Sequence, residues 1–210
     1  MAAMRDDSTK ASSSRVFRHR PTRLTAFDET CLGLPVGALA EVTGRHAIDV
    51  DLFVDALRRA DPDVALLDVQ YETVMKKYRS ILEELRTLQT QARPVIVRCS
   101  SPMESARAFD GEEALVRALG AVARMYPQPI VLAWRGRPGD RADDVDATEL
   151  WMASKNVVTV VDARRDDEED DIPGIAHDEM VGDLMFDVAF FDPRSKEVEY
   201  QSLNAHDLMK

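Results

Sequence analysis

The chain has 210 residues, of which 45% are hydrophobic and 31% charged, and its formal net charge is −11. That length suffices for one domain with a sizeable core, and no apolar run approaches the ~18 residues of a membrane span. Non-specific DNA binding rests on Lys and Arg neutralising phosphates, so in so acidic a chain any nucleic-acid contact has to come from local basic segments.

Residues 1–21 read as a disordered leader without the apolar core of a signal peptide, and Arg15, Arg18, His19, Arg20 and Arg23 make a small basic patch across its end. From Thr25 to Gly44 the chain runs through turn formers (Gly33, Pro35, Gly37) into an apolar, strand-like segment, Ala38–Gly44. Asp49–Ala60 predicts an amphipathic helix, with Leu52, Phe53, Ala56, Leu57 and Ala60 on one face and Asp49 as its N-cap. Asp61-Pro62-Asp63 ends it. Val64–Asp68 predicts a buried parallel strand and Tyr71 to about Gln91 a long helix. Pro94–Arg98 is the next strand, followed by a short helix at Met103–Phe109 and a longer one at Glu113–Met125.

Pro129–Trp134 is a further buried strand, Ala147–Ser154 a helix and Val157–Val161 a strand. Seven of the ten residues from Asp162 to Asp171 are acidic, and 162–180 is expected as an acidic flexible loop. Phe186–Phe191 and Val198–Gln201 predict a hairpin, with 204–210 as a tail. The order is strand–helix repeated, then a hairpin. It predicts an α/β domain over residues 22–203, with a mostly parallel central sheet flanked by helices. Cys31 and Cys99 stand alone, without disulfide or zinc spacing, which points to a reducing compartment, nucleus or cytoplasm. His19, His46, His177 and His206 are scattered and form no metal or catalytic set. Trp134 and Trp151 are expected in the core or at an interface.

Residues 25–44 resemble the lead-in to the ATP site of RecA-type proteins. Phe27-Asp28 matches the L-D step of that pattern, Leu32-Gly33-Leu34-Pro35-Val36-Gly37 its G-L-P-x-G turn, and Ala38–Gly44 the strand entering the phosphate loop. The resemblance implies a RecA-like (P-loop NTPase-type) core. A working phosphate loop, G-x-x-x-x-G-K-[ST], uses backbone N–H groups, a Lys and a Ser/Thr on magnesium. Counting from Gly44, those last places hold Asp49, Val50 and Asp51, and no lysine occurs between Lys10 and Lys76. Two carboxylates at the start of a helix repel a triphosphate at close range.

Two further places depart from the pattern. Where the recombinases carry a Glu that activates water, this chain has Leu67-Asp68-Val69-Gln70, and Gln70 cannot take a proton. The strand that ends in a magnesium-supporting Asp in that family ends here in Ala133-Trp134. No catalytic residue, metal site or cofactor is therefore expected, and the chain reads as a non-enzyme. The layout from Val64 to Met103 is similar to that of short eukaryotic recombinase paralogues and Shu-type accessory proteins. These act in heteromers that help a recombinase load on single-stranded DNA in homologous recombination and repair. The resemblance implies another RecA-like paralogue or a recombinase as partner, single-stranded DNA reached through the complex, and no membrane.

Arg135, Arg137 and Arg141 follow the strand where the family places its first DNA-facing loop, and with Arg18 and Arg20 they are the candidate nucleic-acid contacts. Asp140, Asp143, Asp144 and Asp146 nearby favour a solvated loop instead. The acidic run lies at the family's second DNA loop, where its charge repels DNA. Phe53-Val54-Asp55-Ala56 fits the F-x-x-A hook of recombinases, but Phe53 falls on the core face of its helix. Two other functions stay open: an ATPase-dead RecA-like subunit of an Elongator-type tRNA-modification complex, and a metal-dependent nuclease or phosphatase built on Asp166–Asp171.

Overall fold

A computed structural model describes residues 18–44, 46–69, 83–88, 91–99, 106–134, 145–165 and 184–208, with backbone only at 106–114, 145–147 and 151. Arg18–Arg20 (β1) pairs antiparallel with Leu34–Val36 (β2), enclosing the helix Thr25–Cys31 (α1). Then follow Leu39–Gly44 (β3), Ala47–Ala60 (α2), Ala65–Val69 (β4), the helical residues 83–88 (α3) and Val95–Cys99 (β5). Ala106–Ala123 (α4), Ile130–Trp134 (β6), Val145–Lys155 (α5) and Val157–Arg165 (β7) come next. Leu184–Asp192 (β8), Glu197–Asn204 (β9) and Ala205–Leu208 (α6) close the chain.

The central sheet has seven strands in the order β4-β5-β6-β3-β7-β8-β9. The five from β4 to β7 are parallel, and the β8–β9 hairpin adds two antiparallel strands at one edge. This is the expected α/β class with a mostly parallel sheet and a C-terminal hairpin. Successive strand residues point to opposite faces, and each face buries its own cluster. One face packs against α1, α2 and α6 through residues such as Phe27, Phe53, Val54 and Leu57 with Phe186 and Leu208. The other packs against α3, α4 and α5 through Leu85, Leu119, Met152 and Trp134. Phe53 is fully buried, edge-on to Phe27 at 5.6 Å and tilted against Phe186 at 5.2 Å. Those ring contacts explain why the F-x-x-A match lies in the core. No helix among the described residues is long and apolar enough to cross a membrane.

Several boundaries differ from expectation, each for a local reason. α1 is an addition to the expected elements, since the reading of Thr25–Gly44 rests on the turn formers that follow it (Gly33, Pro35, Gly37). It is held by Asp28, whose carboxylate accepts from the Thr22 N–H at 2.8 Å, the Thr22 hydroxyl at 2.8 Å and the Arg23 N–H at 2.9 Å. Residues 18–20 were placed in the leader, yet they form β1, anchored where Arg20 donates to Asp61 at 2.8 Å and to Gln128 at 2.5 Å. α4 is one helix where two were expected. β7 runs on through Asp162–Arg165, the start of the expected acidic loop, because β8 pairs with it out to Leu184. Ala205–Leu208, expected as tail, folds back as α6 and buries Ala205 and Leu208. Of the helix expected from Tyr71 to about Gln91, residues 83–88 are described and helical as α3, whereas 71–82, Gln70 and the remainder of the acidic run lie outside the described residues.

The two motif glycines Gly33 and Gly37 both hold positive φ, 91° and 88°. Only Gly33 is also crowded: a Cβ there would stand 2.4 Å from the Arg20 carbonyl oxygen, whereas one on Gly37 would meet nothing within 4 Å. Gly37→Ala is therefore expected to cost about 1 kcal/mol of backbone strain. Gly33→Ala adds displacement of β1 and should cost at least about 3 kcal/mol in total. Urea denaturation of the two variants checks that ranking.

Candidate functional site

In open α/β sheets ligands bind beyond the carboxyl ends of the strands, where the strand order reverses. Here that place is the end of β3. The chain leaves β3 for the far edge at β4, returns through β5 to β6 on one side of β3, and then crosses to β7 on the other. Gly44 ends β3 and α2 starts at Ala47, so the strand and helix singled out in the sequence meet at this end of the sheet.

The start of α2 is not laid out as the sequence suggested. His46 occupies the N-cap, with no side-chain cap bond, and Asp49 sits three residues in, 1% exposed. Asp49 is thus not the N-cap, because its carboxylate turns inward to Arg165. β7 continues past the last β3 pair, Gly44 with Ala163, and so carries the Arg165 guanidinium to the first turn of α2. Its Nε donates to Asp49 Oδ2 at 3.1 Å and its second amino nitrogen to Oδ1, a two-point contact. A carboxylate in the first turn also suits the positive end of the helix.

Asp51 is held from the opposite side. Arg98, at the end of β5, donates to Asp51 Oδ1 at 3.0 Å and grips Asp68 on β4 through Nε at 2.5 Å and a terminal nitrogen at 2.9 Å. Asp68 and Arg98 are register partners in the β4–β5 pair. The bond to Asp68 is the main reason the Arg98 pKa lies above its ordinary value, against the opposing effect of burial. Asp49 and Asp51, expected to repel phosphate as bare charges, are therefore each matched by an arginine, Arg165 from β7 and Arg98 from β5. Val50 between them points into the core. Gly44 is needed for packing: a Cβ there would lie 2.9 Å from the Ala163 Cβ and 3.2 Å from a Val50 methyl.

On the other face of β3, Glu41 is 1% exposed and accepts a 2.6 Å hydrogen bond from the Trp134 indole N–H. Glu41 and Trp134 were read from separate segments; the β3–β6 pairing brings them together. The end of β6 thus holds an indole that donates to a buried carboxylate on β3.

Of the candidate nucleic-acid contacts, Arg18 is exposed, while Arg20 is engaged with Asp61 and Gln128 near the opposite ends of the strands. Arg135, Arg137 and Arg141 lie outside the described residues, as do Asp166–Asp171. Among the described residues no group of three or more His, Cys, Asp or Glu is placed to hold a metal. Cys31 and Cys99 are both buried, in clusters on opposite faces of the sheet. Burial, with Asp28 beside it, pushes the Cys31 thiol up to about 12. Sequence reasoning missed Arg98 and Arg165. The one available signal was a lone arginine terminating an otherwise apolar strand, as in Pro94–Arg98. No protein-family model matches this chain, and no curated protein matches it significantly in sequence.

Removing one partner of a buried ion pair leaves the other charge uncompensated, so Arg165→Met is expected to destabilise the fold by about 3–5 kcal/mol. Adding Asp49→Leu should recover most of that loss, because the stranded carboxylate goes with it. Chemical denaturation of the two single variants and the double variant measures the coupling. A double variant no more stable than Arg165→Met would contradict it.

Proposed function

We propose that this chain is a non-catalytic, recombinase-paralogue-like subunit with a RecA-like core. It works in a heteromer with another RecA-like protein to help a recombinase load or persist on single-stranded DNA during homologous recombination and DNA repair. The observation that carries this reading is the Asp49–Arg165 pair, in which the first turn of the helix after the phosphate-loop strand is neutralised from within the chain. Asp51 is neutralised in the same way by Arg98. Such an arrangement keeps a scaffold and removes the usual means of holding a triphosphate.

The strand order gives further support. Numbered along the chain, the five parallel strands lie as 2-3-4-1-5. This differs from the dinucleotide-binding order 3-2-1-4-5-6 and the flavodoxin-like order 2-1-3-4-5. The net charge of −11 suits a subunit whose main contacts are with protein and whose DNA contact is made through the complex.

Affinity purification of the tagged full-length chain, followed by mass spectrometry, tests the proposal. The expected result is a stoichiometric RecA-like partner, together with no binding of a fluorescent ATP analogue by the isolated chain. Single-stranded DNA binding should appear with the complex and not with this chain alone. A stable monomer indifferent to any recombinase-like protein would overturn the reading. A tRNA-modifying ring as the partner would move it to the Elongator-type alternative.

A further inference from the structure

We propose that Asp49 is a built-in anion: its carboxylate fills, from within the chain, the place at the start of α2 where a bound oxyanion would otherwise sit, and so holds β3, α2 and β7 in one arrangement without a ligand. Four observations converge on this. α2 is a 14-residue helix whose N-cap supplies no side-chain acceptor, so its positive end is not answered at the cap. The one acid of its first turn is almost completely buried and faces the sheet. A guanidinium from the neighbouring strand approaches that acid in the two-point geometry that arginine uses equally for carboxylate and phosphate. Gly44, at the end of the strand that feeds α2, leaves no room for a side chain between Ala163 and Val50, so the strand end lies close against both.

Asp49 and Arg165 stand 116 residues apart in sequence. The contact therefore joins the first crossover unit of the sheet to the strand on the far side of β3. In a ligand-binding site of this layout an exchangeable anion would make that link and would release it on leaving. A covalently attached carboxylate makes it permanently, and the local concentration of the anion is set by the fold. The contact is an autoinhibitory one in the simple sense that the site is occupied by the chain itself. The inference rests on reading the start of α2 as the counterpart of a phosphate site, but it does not depend on which partner the subunit serves.

Chemical rescue tests it. Asp49→Ala removes what amounts to one formate ion from the side chain and leaves facing α2 the guanidinium donors that Asp49 now engages. The variant's melting temperature is expected to fall by about 6–20 °C, the range that loss of one partner of a buried pair implies for a chain of this size. Sodium formate should restore a substantial part of that loss in a saturable manner, and sodium chloride at equal ionic strength should not. Wild type and Arg165→Met should show no such formate-specific gain. If Asp49→Ala is recovered only as insoluble protein, refolding yield with formate against chloride supplies the same comparison. Inorganic phosphate as a second probe reports whether the vacated space admits a larger oxyanion.

An Asp49→Ala protein as stable as wild type, or one that gains no more from formate than from chloride, would overturn the inference. Those outcomes leave the partner experiment untouched, and a failed partner search leaves the rescue result standing.

Discussion

An acid side chain that is 1% exposed is costly to bury unless hydrogen-bond donors are aimed at it. Asp49 has two such donors in Arg165, and the contact fixes much else. It requires β7 to outlast β3 by enough residues to reach the helix, and the first turn of α2 to present its acid inward. Both requirements are visible: β7 runs to Arg165, and Asp49, in the first turn of the helix that starts at Ala47, turns toward the sheet. Arg98 repeats the device from the other side through Asp51 and Asp68. The start of α2 is therefore gripped by guanidinium groups on strands to either side of the strand that feeds it.

The opposite face of β3 follows the same logic with a different donor. Glu41 lies beneath a layer that includes Leu132 and Trp134, where an unpartnered carboxylate would be costly, and the indole N–H provides a short bond without adding charge. An indole suits this position because it closes the strand end with apolar surface and still donates once. On each face, then, a side chain from a strand beside β3 donates to a buried acid, Trp134 to Glu41 and Arg165 to Asp49. Stability here depends on paired groups more than on any single acid, so charge-removing substitutions are expected to act through the partner left behind.

How much of this could be read from the sequence depended on how far apart the interacting residues stand. Strands β3 to β7 were legible as short apolar runs, the mark of parallel strands covered on both faces: Val95–Cys99 and Ile130–Trp134 are of this kind, while Ala65–Val69 at the sheet edge is only partly buried. α1 was not, because its start depends on Asp28 reaching back to Thr22 across a turn that composition describes only as polar. Asp49 looked like an N-cap because Asp before an apolar periodicity is normally one. What competes with that rule is Arg165, far away in sequence and adjacent only once the strand order is known. The end of β7 was misjudged for a related reason. Asp162 and Arg164 belong compositionally to the acidic run, yet the pairing with Asp187 and Met185 on β8 carries them as strand. Local pattern reveals elements; it does not reveal which charges meet.

That distinction bears on the proposed loss of a phosphate site. By sequence, Asp49 and Asp51 put two negative side chains where a triphosphate needs positive ones. In the folded chain arginines neutralise both, so repulsion counts for less and occupation for more: a ligand would have to displace a two-point ion pair held against the sheet beside Gly44. A ligand-gated site reports whether it is full. Under the proposal made above, this one would report a constant value, giving partners a start of α2 that is always in the occupied arrangement. In the proposed role of a subunit that offers a surface, such constancy would lower the conformational cost of assembly, because the arrangement is selected before any partner arrives.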